Sequence, residues 1–402
     1  MTPNNDDLER EFERLLRNPL TRRLILKRGA AGVMSASALA YLAACGTDEP
    51  SGGDKSEEAK AIPKGKVADS MYMANWPLYI EEDHGTLKDF EKEYGTKVKY
   101  VEEINDNTEF FGKVRQQYDQ GNSGGRDIHV VTDWMAARMI RLGYVQKFDK
   151  STMPNANENL IEALKSPPFD KKREYSMPWQ SGIAGIIYRK DKVKREPKSV
   201  DDLFDPDYKG KVTMLTEMRD TVGVVAAWMG ADPETASVDE FLKAIDKIGE
   251  GADSGQIRGF TGNEYTKDIT KGDSWVIIGW SGDAVQLKAD NPNIEFLIPE
   301  TGGHLWTDNM QIPVGAPEPF TAEKFIDFVY RPEIQADIAE YVNYICPVNG
   351  VKEILTKRDP KLADNQLIFP DEAFLKNTFI FRGLNPDEEQ EIDDAFQKVI
   401  GA

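Results

Sequence analysis

The alternation of apolar and polar positions divides most of this chain into strand and helix units. An apolar run from Ala68 to Ala74 reads as a strand, and Leu87, Phe90 and Tyr94 then recur at helical spacing before the stop at Gly95. Val98 and Tyr100 mark a second strand, Phe110, Val114 and Tyr118 a second helix, and Ile128 to Val131 a third strand. Met135, Met139 and Leu142 predict a third helix, closed by Gly143. Such alternation predicts an α/β unit with a mainly parallel sheet. A second unit follows YSMPWQSGIAGIIYR: Lys211 to Leu215 reads as a strand, and Thr216 to Asp220 opens a helix carrying Val222, Val225 and Met229. From Ser274 to Met310 an apolar strand ends in Trp280, and Ser281-Gly282-Asp283 turns into a helix. IEFLIP forms another strand, and a Gly-rich turn delivers Trp306 and Asp308. A helix from about Ala322 and further helices near the C terminus complete the pattern. At 402 residues the chain exceeds what one core usually holds, which predicts two domains or lobes.

The first 66 residues follow a different pattern. Arg22-Arg23 precedes an uncharged run, Gly29 to Ala44, rich in Ala and Ser and too short to span a bilayer. It ends Leu42-Ala43-Ala44-Cys45. Basic flank, mild apolar run and small residues before a cysteine resemble a twin-arginine export signal ending in a lipobox, so residues 1–44 read as an export signal and Cys45 as a lipidation site. Lipid chains on Cys45 would hold the protein to the outer face of a membrane. Residues 45–66, with many Gly, Ser, Pro and charges, read as a flexible tether. With Cys45 acylated, Cys346 has no disulfide partner, and in YVNYICPV it reads as a buried small hydrophobe.

Charge narrows the partners. The net charge is −19, and residues 1–44 hold five acids and seven bases, leaving −21 for the rest. That excess argues against nucleic acid and leaves room for a cationic ligand, although a solubilising acidic surface would account for it equally. Twice, at Trp280/Asp283 and at Trp306/Asp308, an indole and a carboxylate stand close in sequence. An indole face attracts a cation and a carboxylate accepts its N–H bonds, so the pattern points to a pocket for an organic cation. Trp76, Tyr79, Thr132 and Trp134 follow predicted strands, where ligands of α/β sheets bind. Glu217 and Asp220 open a helix. Complementing the helix dipole explains them as well as ligand binding does.

Taken together, NWPLYI, DIHVVTDWMAARMIRLGYVQ, DDLFDPDYKGKVTML, GWSGDA, LWTDNMQIP and IAEYVNYICPVNG resemble the periplasmic spermidine/putrescine-binding proteins of bacterial polyamine ABC transporters, over about residues 68 to 375. The resemblance implies a bilobal, type II periplasmic-binding-protein-like α/β fold: residues 67–182 plus 307–351 would form one lobe and 183–306 plus 352–402 the other, joined by crossover segments. It implies a polyamine ligand and an ABC permease with its ATPase as partners. Carried over by position, the ligand contacts fall on Trp76, Tyr79, Thr132, Trp134, Glu217, Asp220, Trp280, Asp283, Trp306, Asp308 and Tyr344. Thr132 keeps the hydroxyl of the family's serine, whereas Trp134 keeps an aromatic face without the phenol. A glutamine that some spermidine binders supply near the C terminus has no counterpart, since Phe379 or Phe381 stands there.

Physical chemistry makes the set coherent. Each ammonium of a polyamine is costly to bury unpaired, so a site must supply acids for the nitrogens and apolar faces for the methylenes. Trp76, Trp134, Trp280, Trp306 and Tyr344 would wall the chain, each cation–π contact contributing roughly 0.5–2 kcal/mol. Glu217, Asp220, Asp283 and Asp308 would accept the ammonium hydrogens, leave the empty cleft negatively charged, and favour an open resting form. Trp179, Trp228 and Trp275 lack such company and are expected in the core or hinge. His304 is expected behind the cleft or on the surface.

Enzyme readings fit poorly. Gly121 to Gly125 satisfies G-x-S-x-G but follows a helix and precedes a strand, the reverse of a nucleophile elbow. His84, His129 and His304 are scattered, with no zinc motif and no Walker or dinucleotide loop, so neither metal nor cofactor is expected. A secreted glycosidase with a Trp-lined, two-carboxylate cleft is the enzyme alternative. Another organic cation on the same fold is the binding alternative.

Overall fold

The computed structural model describes residues 65–401. Among them, ten strands form one sheet: β1 (Ser70–Asn75), β2 (Lys97–Glu102), β3 (Ile128–Thr132), β4 (Met177–Arg189), β5 (Val212–Leu215), β6 (Ile257–Thr261), β7 (Val276–Trp280), β8 (Ile294–Leu297), β9 (Gly303–Gln311) and β10 (Thr378–Phe379). The order runs β2-β1-β3-β9-β4-β7-β5-β6, with β10 joined to β9 and β8 to β4.

Each flank of the sheet is parallel: β1 pairs with β2 and β3, and β5 with β6 and β7. The centre is not. β4 and β9 run antiparallel to each other, β9 antiparallel to β3, and β4 antiparallel to β7 and β8. The expectation of a mainly parallel sheet therefore holds only within the flanks. Strands that pass from one flank to the other meet their neighbours head to tail. β4 supplies that passage in the stretch YSMPWQSGIAGIIYR, and all thirteen of its residues are buried, so no apolar/polar alternation marks it.

A second difference concerns Trp306 and Asp308. They sit inside the nine-residue strand β9, not in a Gly-rich turn. Only Gly302, at φ 99°, takes the left-handed turn conformation, and Gly303 already pairs with β10. Strand geometry sends alternate side chains to one face, so His304, Trp306 and Asp308 project together. Leu142 and Met229 fall one residue past their helices, Asp133–Arg141 and Met218–Trp228. Each is 46% exposed, so neither belongs to the core face their spacing predicts.

Other expectations match the structure. The helix Gly85–Tyr94 buries Leu87 and Phe90 and ends at Gly95, φ 72°. Gly121 to Gly125 forms a turn between the helix Asn107–Tyr118 and β3. Cys346 is buried and free, and burial pushes its thiol up to about 12, far from a nucleophile. Trp179 is buried with Nε1 donating to the Tyr79 carbonyl at 3.2 Å, Trp228 stacks on Phe204, and Trp275 donates to Gly272. The helix Pro386–Ile400, opened by a capping box from Asn385 to Glu388, packs on the helix Val238–Asp253, whereas Val351–Arg358 packs on Pro332–Val342. No described helix is long and apolar enough to cross a membrane. The export signal, Cys45 and nearly all of the tether lie outside the described residues.

The crossing of β4 and β9 fixes the site's geometry through a missing side chain. Gly182 faces Trp306 across the ladder, and a Cβ there would overlap the indole and approach Tyr344 Cδ1 to 2.8 Å. Gly182→Ala is expected to cost about 1–3 kcal/mol through overpacking. Thermal denaturation of the ligand-free variant checks this, and an unchanged midpoint would show that the two rings yield freely.

Candidate functional site

The carboxyl ends of the parallel strands converge with β9 on one cavity of about 440 Å³, its mouth included. Trp76, Pro77 and Tyr79 follow β1; Thr132 ends β3, and Trp134 lies in the helix that continues it. Glu217, Arg219 and Asp220 open the helix after β5, Asn263 follows β6, and Trp280 ends β7 with Asp283 one turn into the next helix, Ser281–Asp290. His304, Trp306 and Asp308 come from β9, and Tyr344 from the segment after the helix Pro332–Val342. All eleven residues expected at the site line this one cavity.

Its walls are aromatic. Trp280 meets Trp76 edge-on at 5.9 Å and Trp306 at 6.4 Å between ring centres, and Tyr344 lies against both Tyr79 (5.2 Å) and Trp306 (5.5 Å). Indole N–H groups are anchored in two cases. Trp76 Nε1 donates to the Val130 carbonyl at 3.0 Å and Trp280 Nε1 to Asp220 Oδ2 at 2.9 Å, which fixes both rings in place.

The four acids stand in separate nests of donors. Asp308 accepts from Tyr79 Oη and Thr132 Oγ1, both at 2.8 Å. Asp283 accepts from Tyr265 Oη at 2.6 Å, Tyr344 Oη at 2.7 Å and Asn263 Nδ2 at 3.1 Å. Glu217 Oε1 accepts from the backbone N and the Nδ2 of Asn107, at 2.6 and 2.7 Å. Asp220 holds Trp280 on one oxygen and His304 Nδ1, at 2.6 Å, on the other. A carboxylate has about four acceptor positions, so each retains capacity for an incoming N–H.

Burial governs their protonation. It pushes Asp308 up to about 7 against the pull of Thr132 and Tyr79, and Asp283 up to about 6 against Tyr265 and Tyr344. Glu217 is raised well above the ordinary carboxylate range by burial and then by the charges of Asp106 and Asp220. The empty cavity is therefore less negative than a count of four acids implies. A bound cation would restore the ionised forms.

Four lining residues stand outside the expected set. Pro77 is the third residue of the NWPLY segment. Arg219 stacks on Trp134 with its guanidinium 3.8 Å from the ring centre, so that indole already carries a protein cation. His304 is buried and lines the cavity while holding Asp220, closer than the surface or supporting place expected of it. Asn263 gave one usable signal: it follows the carboxyl end of β6, as Trp280 follows that of β7. Two buried donors at the cavity, Trp306 Nε1 and Arg219 Nη1, have no partner among the described residues.

With this geometry in hand, residues 86–369 match the family of bacterial extracellular solute-binding proteins. The chain belongs to that family. It is 27% identical over 311 residues to the spermidine/putrescine-binding periplasmic protein of Escherichia coli K12, covering 77% of this chain and 85% of that one. To a putrescine-binding periplasmic protein of Pseudomonas aeruginosa UCBPP-PA14 it is 27% identical over 349 residues, 82% of this chain and 91% of that one. A solved structure from Listeria monocytogenes named for a spermidine/putrescine ABC transporter superposes with a TM-score of 0.73 at 27% identity, over 83% of this chain and 99% of that one. The bilobal solute-binding fold expected from the sequence is thereby established.

The raised carboxyls make stability pH-dependent with a definite sign. Asp308 titrates near 7 in the folded protein and about 3.9 unfolded, so its contribution is complete below the unfolded value and lost as pH rises through 7. The ligand-free protein should lose stability between about pH 4 and 7, and Asp308→Asn should flatten that slope. Scanning calorimetry across this range at constant ionic strength decides it; an equal slope in the variant would refute the assignment.

Proposed function

We propose that this protein is an extracytoplasmic binding protein that captures spermidine or putrescine and delivers it to an ABC permease driven by its ATPase, without chemical turnover. The observation that carries the reading is the convergence of four buried carboxylates and a ring wall, drawn from distant parts of the chain, on one cavity. The names of the relatives point the same way. A polyamine needs partners for separated ammonium groups and apolar cover for the methylenes between, and the cavity offers both. Trp76, Tyr79, Thr132, Trp134, Glu217, Asp220, Trp280, Asp283, Trp306, Asp308 and Tyr344 would make the contacts.

Residues 67–182 with 307–351, and 183–306 with 352–402, would move as the two lobes. Both boundaries within the sheet fall inside β4 and β9, the strands that pass between its parallel flanks. Ligand would close the lobes by bridging acids and rings from both sides. Cys45 would carry the lipid that tethers the fold outside the membrane, a role supported by the basic flank, the mild apolar run and the LAAC sequence.

A second reading is favoured by the unpartnered donors Trp306 Nε1 and Arg219 Nη1. An organic cation that also carries an acceptor oxygen would satisfy a donor that a plain polyamine leaves unused.

Titration calorimetry on protein lacking residues 1–45 separates these readings. Putrescine or spermidine should bind one to one and change tryptophan fluorescence. Asp283→Asn and Asp308→Asn should each weaken binding at least about tenfold, since truncating one side of a buried charge pair costs roughly 2–5 kcal/mol. Neither heat nor fluorescence change at millimolar polyamine would refute the proposal, and tighter binding of an oxygen-bearing amine would favour the second reading.

A further inference from the structure

Behind Trp134, on the side away from the acids, lies a cluster of charges that the ligand reading does not use. Arg219, 5% exposed, donates from Nη2 to Glu389 Oε1 at 2.8 Å. The other oxygen of Glu389 takes Arg138 and Arg141 at 3.2 and 3.0 Å, and Arg138 also reaches Asp393 at 3.0 Å. The guanidinium of Arg138 lies 5.0 Å from the Trp134 ring centre and that of Arg219 3.8 Å.

The members come from opposite flanks of the sheet. Arg138 and Arg141 lie on the helix Asp133–Arg141, which continues β3. Glu389 and Asp393 lie on the C-terminal helix Pro386–Ile400, which packs on Val238–Asp253 and, through Phe396, on Phe260 of β6. Arg219 opens the helix after β5. Two acids on one flank thus hold two arginines of the other flank, and the joint includes the residue that stacks on a cavity-lining indole.

We propose that the C-terminal helix is a clasp: Glu389 and Asp393 grip Arg138 and Arg141 when the flanks are closed, and Glu389, through Arg219, positions Trp134 and neutralises an arginine that lines the cavity. This rests on the binding reading for its consequence, though not for its mechanics. An arginine without its acid would repel a cationic ligand, and a parted clasp would let ligand leave. The clasp acts on dwell time more than on capture, because it forms only after closure.

The test uses the full-length chain with Cys45→Ser and spin labels at Leu142→Cys and Gln390→Cys, read by electron–electron distance measurement, beside stopped-flow release of putrescine. Glu389→Gln, and separately Arg138→Gln with Arg141→Gln, should each deplete the short, closed component of the label-distance distribution, both the minor closed population of the ligand-free protein and the major one with saturating putrescine. Each should speed putrescine release about tenfold, the scale of a lost buried charge pair, and the arginine pair should do so with the Arg219–Glu389 contact intact. Unchanged distances in both sets of variants, with or without a drop in melting temperature, would overturn the clasp and leave a merely structural cluster. If no polyamine binds the parent protein, the functional reading fails while the ligand-free distances still decide the clasp.

Discussion

A carboxylate taken out of water must find donors or give up its charge. Much of this protein's site follows from that constraint. Asp308, Asp283, Glu217 and Asp220 are each held by hydroxyls, amides, an indole or an imidazole, and burial draws the first three toward protonation. Neutral donors hold three of these acids in place without cancelling their demand for a positive partner. The fourth, Asp220, is held by the Trp280 indole and the His304 ring. On the proposed reading, selectivity for a cation would arise from an energetic deficit that the fold keeps open, and the indoles would restrict which cations can meet it.

The sheet makes that arrangement possible. Parallel strands deliver their carboxyl ends to one rim, where loop residues such as Trp76 and helix starts such as Glu217 collect. The antiparallel crossing of β4 and β9 then carries His304, Trp306 and Asp308 across the middle of the rim. Residues on the crossing strands contact partners from both flanks: Asp308 is held by groups that follow β1 and end β3, His304 by a group that follows β5. Two positions four residues apart on a single strand thus sense both flanks.

Much of this was legible in the sequence because its signals are local. A tryptophan or an acid just after an apolar run marks a strand end, and that rule finds Trp76, Trp134, Glu217 and Trp280 without any contact map. Asn263 escapes that rule, being an amide after the half-exposed strand β6. Other features were hidden for stated reasons. β4 is buried on both faces and shows no period, so the pattern assigned it no element. The glycines at 302 and 303 suggested a turn where a single φ of 99° precedes a strand. Arg219 was visible between two acids, but its stacking on Trp134 and its pairing with Glu389, 170 positions away, leave no trace in local pattern.

Two glycines bear on redesign. Gly182 and Gly282 press their bare backbone against Trp306 and Tyr344, so the rings that form this wall rest on main chain. Main chain cannot be carved. An engineer wishing to admit a bulkier amine gains no room by altering these supports and would have to trim the rings themselves, giving up the surface that the proposed reading assigns to charge recognition. On that reading, wider cargo and strong preference for cations would be opposing goals within this scaffold.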